Sequence, residues 1–100
     1  PTAMQRPSQR IQAHREAIKA IVARHHGMHP RLFGSVARGQ DTPQSDVDLL
    51  VDTRAGTGLF ALGAMQYELQ QLLQTRVDVL TPGDLPAAFR AQVLAEALPL

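Results

Sequence analysis

The chain has 100 residues, 44% of them hydrophobic and 19% charged, and its ten Lys and Arg against nine Asp and Glu leave a formal net charge of +1. A chain of this length buries about 60–70% of its unfolded surface, enough for one core and too little for a multidomain enzyme. The absence of Cys excludes a disulfide scaffold, a thiol nucleophile and a cysteine zinc site.

Near-balance of charge gives little ground for a nucleic-acid partner, and none is expected. No apolar run approaches the roughly 18 residues of a membrane helix, and residues 1–10 lack a signal-peptide core, so a soluble, cytoplasmic protein is expected. Residues 1–7 are set aside as a disordered or tag-derived tail of a single domain spanning 1–100. Nine of the ten basic residues are Arg, which suits phosphate through its planar fork but also follows from GC-rich coding.

From Ser8 to His26 the apolar residues Ile11, Ile18, Ile21 and Val22 recur at helical spacing, with Ser8 as N-cap, Gly27 as stop and Pro30 opposing continuation. Arg31–Phe33 is a brief strand, Ser35–Arg38 one helical turn, and Gly39–Ser45 a loop. Val47, Leu49 and Val51 alternate with Asp46, Asp48 and Leu50 in the period of a strand. After a second loop, Thr53–Gly58, a long helix carries Leu59, Leu62, Met65, Leu69, Leu72 and Leu73. Val77–Leu80 is a strand interrupted by Asp78, Thr81–Pro86 a turn, and the segment to Leu98 a last helix that buries Phe89, Val93 and Leu94. The order helix, strand, helix, strand, helix, strand, helix predicts an α/β domain around a small mixed or parallel sheet.

Three of the nine acids lie inside apolar strands, where an uncompensated carboxylate is costly. Asp46 and Asp48, two apart, share a strand face, and Asp78 joins them if its strand runs alongside. Hard oxygen ligands of this kind suit Mg²⁺, and two such ions can clamp an in-line displacement at phosphorus. An isolated Asp-x-Asp also occurs in calcium loops and sugar-nucleotide transferases, or as a loop cap beside an Arg-paired acid. Gly34-Ser35 lies eleven residues before Asp46. Gly lets backbone approach a ligand closely, and the turn starting at Ser35 aims N–H groups at an anion; an ordinary strand-to-helix turn capped by Ser35 has the same sequence.

The run Gly34-Ser35-Val36-Ala37-Arg38-Gly39 followed by Ser45-Asp46-Val47-Asp48-Leu49-Leu50-Val51 resembles the signature of polymerase-beta-type nucleotidyltransferases. It is most similar to their smallest members, the minimal nucleotidyltransferases of HEPN/MNT toxin-antitoxin pairs, and Val77-Asp78-Val79 with Thr81-Pro82-Gly83 extends the likeness along the chain. The resemblance implies metal binding by Asp46, Asp48 and Asp78, with Asp78 a candidate acceptor of the substrate proton. It implies phosphate binding by Gly34, Ser35 and Arg38, a backbone role for Gly39, and an orienting role for Ser45. It implies transfer of AMP from ATP, with two Mg²⁺ ions, to a tyrosine of a HEPN ribonuclease toxin held in a hetero-oligomer, which the transfer silences. The rival readings are an antitoxin that inhibits by covering the toxin, and transfer to an RNA end or a small molecule.

His25, His26 and His29 are read as a cationic helix end, since Gly27 and Pro30 break the helix that would align them into a metal site. The stripe from Leu59 to Leu73 is read as core, with part of it or of the last helix left for an interface. Arg residues of the first helix lack the interleaved aromatics of an RNA-binding face.

Overall fold

The computed structural model describes residues 5–100; the remainder of the tail lies outside the described residues. The elements are α1 (Pro7–Ala13), α2 (Arg15–Arg24), β1 (Gly27–Phe33), α3 (Gly34–Ala37), β2 (Val47–Thr53), α4 (Leu59–Leu73), β3 (Val77–Leu80), a 3-10 turn (Pro82–Asp84), α5 (Ala87–Glu96) and β4 (Leu98–Pro99). The sheet order is β3-β2-β1-β4. β1 runs antiparallel to both β2 and β4, while β2 and β3 are parallel and joined by the α4 crossover, so the sheet is mixed.

Alternation along the strands sorts the side chains onto two faces. One face presents Leu32, Val47, Leu49, Val51, Val77 and Val79 to Ile11, Ile18, Ile21 and Val22 of α1 and α2 and to Met65, Leu69 and Leu73 of α4. Each such buried aliphatic side chain stabilises the fold by about 1.5–3 kcal/mol relative to exposure. The other face carries Asp48, Leu50, Asp78 and Leu80. Leu50 is fully buried there, where the 3-10 turn packs on β2 and buried Leu85 follows it.

Several expectations need correction. The first helix is broken at His14, whose φ of −116° and ψ of 21° leave the helical region. No Gly or Pro marks the break; α1 is held from elsewhere, by Arg10 Nη1 donating to the carbonyls of Leu73 and Gln74 at 3.0 Å. Arg6 and Pro7 belong to the folded part, with Arg6 as N-cap and Pro7 buried in the first turn. Ser8 is therefore not the cap: its N–H donates to Asp41 Oδ2 at 2.9 Å, so an acid 33 residues away caps the helix.

β1 begins at Gly27, four residues earlier than its predicted start. His29 at φ 52° and Pro30, which has no N–H, occupy the register shift between Met28 and Arg31, where the ladder tolerates both. α5 stops at Glu96 because Leu98, preceding Pro99, is driven to extended backbone and pairs with Leu32 as an edge strand. α5 buries no residue, and Phe89 and Leu94 stay 58% and 42% exposed. The three histidines diverge: His25 Nε2 bonds the Glu68 carboxylate, His26 takes a left-handed conformation, and His29 Nδ1 lies 2.9 Å from Asp52 Oδ2.

Candidate active site

The site begins where β1 ends. Phe33 is extended and pairs with Asp48 of β2, which carries the next residue, Gly34, against the Asp48 side chain. Gly34 has φ +73°, and a Cβ built on it would stand 2.4 Å from Asp48 Oδ2. Glycine is needed here twice, for its conformation and for the carboxylate it admits. Val36, buried, anchors the following turn, which closes through Arg38 N–H to Gly34 O at 3.2 Å and Gln40 N–H to Ser35 O at 2.9 Å. Gly39, at φ +71° with open space around its Cα, is required by conformation alone. Arg38 Nε donates to Gln40 Oε1 at 3.1 Å.

The parallel register sets Asp48 beside Asp78, with Val47 beside Val77 one step earlier. Asp46 immediately precedes β2, on the same alternation face as Asp48. Burial raises the Asp48 carboxyl above the ordinary carboxylate range, and the charges of Asp78 and Asp46 raise it further, against the opposing pull of Arg38 and Arg76. Ser45 Oγ accepts from Thr42 N–H at 2.8 Å, and its carbonyl accepts from Thr75 Oγ1 at 3.3 Å.

Two residues of the site have no place in the sequence reading. Arg76 Nε lies 3.6 Å from Asp78 Oδ1 and 4.0 Å from Asp46 Oδ2; its position two before Asp78 is the signal that puts it on the carboxylate face. Asp41, 5% exposed, ties the loop leading to Asp46 back to α1, with Oδ1 buried and unpartnered. Its role has no local signature, because its partner is distant in sequence.

The donor set fits a hard divalent cation: oxygens only, from three carboxylates on one face, one of them carrying a charge that its neighbours oppose. Among the described residues, no three His, Cys, Asp or Glu side chains stand arranged to hold a metal as placed. Asp46 and Asp78 are partly exposed, and the Arg76 guanidinium lies within 4.0 Å of both.

A Gly-Ser turn held against a strand carboxylate, on the sheet face turned away from the packed helices, has the architecture of a nucleotidyl-transferring domain. Residues 11–100 match the nucleotidyltransferase domain family, and the chain belongs to it. It is 35% identical over 78 residues to a Methanocaldococcus jannaschii protein assigned as a protein adenylyltransferase, spanning 78% of this chain and 84% of that one. To the protein adenylyltransferase MntA of Thermococcus cleftensis it is 34% identical over 67 residues, 67% of this chain and 68% of that one. A solved structure assigned as a minimal nucleotidyltransferase superimposes with a TM-score of 0.84 at 41% identity, over 93% of this chain and 95% of the other. A toxin-antitoxin crystal structure with AMP-PNP shares the fold at a TM-score of 0.72 and 20% identity, over 84% of this chain and 69% of the other.

Proposed function

We propose that the protein is an antitoxin that transfers AMP from ATP to a hydroxyl, a tyrosine's, of a cognate HEPN ribonuclease toxin. The observation that carries this reading is the packing of Gly34 on Asp48, which sets a phosphate-type turn beside a carboxylate raised by burial and then by its acidic neighbours. Relatives named for protein adenylyl transfer, and a fold neighbour solved with AMP-PNP in a toxin-antitoxin complex, support the donor and the partner class.

In this reading the backbone around Gly34 and Ser35 receives the triphosphate, and Arg38 adds a forked donor. Asp46, Asp48 and Asp78 would hold Mg²⁺, as two ions. When bound, Mg²⁺ polarises the α-phosphate and neutralises the charge that develops on the leaving group. The acceptor oxygen forms a bond to the α-phosphorus as the bond from that phosphorus to the bridging oxygen breaks, and pyrophosphate leaves. The acceptor's proton passes to Asp78, the carboxylate on the neighbouring strand. Incubation with the partner and ATP radiolabelled at the α-phosphate tests this: label on the partner supports it, and label on RNA or a small molecule instead sinks it.

A second reading, inhibition by covering alone, is favoured by the apolar side chains left in solvent. Phe60 and Leu59 at the start of α4 are 96% and 85% exposed. Inhibition with no label on the toxin would select it.

A further inference from the structure

We propose that Arg76 is the resident counter-ion of the carboxylate cluster, bridging Asp78 and Asp46 in the metal-free protein, and that a divalent cation entering the cluster displaces its guanidinium. The inference rests on the reading of the three acids as a metal site and adds a residue that controls access to it.

Three observations carry it. The first is proximity: Arg76 Nε stands 3.6 Å from Asp78 Oδ1 on β3 and 4.0 Å from Asp46 Oδ2 just before β2, within ion-pair distance of both. These are ion-pair distances, and a divalent cation brings twice the charge of the guanidinium to the same two carboxylates, so the two cations compete for them. Second, the backbone is fixed while the side chain is not. Arg76 O accepts from Val47 N–H at 2.9 Å, locking the residue beside Asp46, whereas the side chain is 69% exposed and has room to swing out. Third, among the described residues no three acids are placed as a metal-holding group, and Arg76 lies within 4.0 Å of both Asp46 and Asp78.

The device has a physical rationale. Three carboxylates on one face repel one another, and a cation tethered beside two of them offsets part of that repulsion before any metal arrives. Its cost is competition, since the entering ion must break both contacts and then stand within several ångströms of a like charge. With solvent screening of an exposed side chain, that repulsion corresponds to about a three- to tenfold change in metal affinity.

The test measures Mn²⁺ binding to the full chain, without nucleotide, by electron paramagnetic resonance of the free ion, for wild type, R76Q and R76K. R76Q should bind about three- to tenfold more tightly than wild type. R76K, which keeps the charge, should stay near wild type, with circular dichroism confirming that each variant is folded. Independently, the Arg76 Nε–H resonance of the wild type should move on titration with diamagnetic Mg²⁺. Equal or weaker Mn²⁺ binding by R76Q than by a metal-binding wild type overturns the role of Arg76 and leaves the metal reading standing. Failure of both proteins to bind Mn²⁺ overturns the two together.

Discussion

Gly34 is the residue on which the site geometry turns. In Gly34→Ala the new methyl falls 2.4 Å from Asp48 Oδ2 at a φ of +73°, so the turn or the carboxylate must move. The expected result is a stability loss of about 1–3 kcal/mol and a fall in transfer rate of more than about 100-fold, read by denaturant unfolding and by labelled transfer. Asp48 behaves in the opposite way. Burial first, then the charges of Asp78 and Asp46, raise its carboxyl in the folded chain. Its contribution to stability is therefore fully present below the unfolded aspartate value of about 3.9 and is lost as pH rises through the folded value. Asp48→Asn should abolish transfer while its metal-free melting temperature at neutral pH equals or exceeds that of wild type. That advantage should shrink toward zero as the pH is lowered below about 4, and a variant markedly less stable at neutral pH would contradict the electrostatic account.

At the scale of elements, α1 depends on a cap supplied from the loop before β2. Asp41 Oδ2 accepts from Ser8 N–H, so Asp41→Ala should cost about 1–2 kcal/mol in urea unfolding and speed hydrogen exchange at Ser8. Asp41→Asn keeps the acceptor and should recover most of the loss; equal losses in both variants would deny the cap. Contacts of this kind mark where local reading stops. The alternation of Val47, Leu49 and Val51 against Asp46 and Asp48 is written in the sequence, as is the stripe of α4, because both follow from periodicity. The break at His14 has no residue that dictates it, and Ser8, a good cap by type, is overruled by tertiary structure. β4 was legible in principle, since Leu98 precedes Pro99, but a two-residue edge strand exists only through its partner β1. Arg76 needed the same alternation applied two residues upstream of Asp78, and its significance emerges only once β3 is aligned with β2.

Across the whole molecule, the packed helices cover one sheet face and leave the other to the acids and the Gly-Ser turn. Among the described residues no helix is long and apolar enough to cross a membrane. Leu59, Phe60, Phe89 and Leu94 leave large apolar side chains in solvent at the start of α4 and along α5. The most direct check is intact-mass spectrometry of the purified partner toxin after incubation with this protein, ATP and Mg²⁺, run beside the Asp48→Asn variant. The account predicts that the toxin gains the mass of one or more adenylyl groups with the wild type and none with the variant. An unmodified but inhibited toxin, or modification that persists with Asp48→Asn, would contradict it.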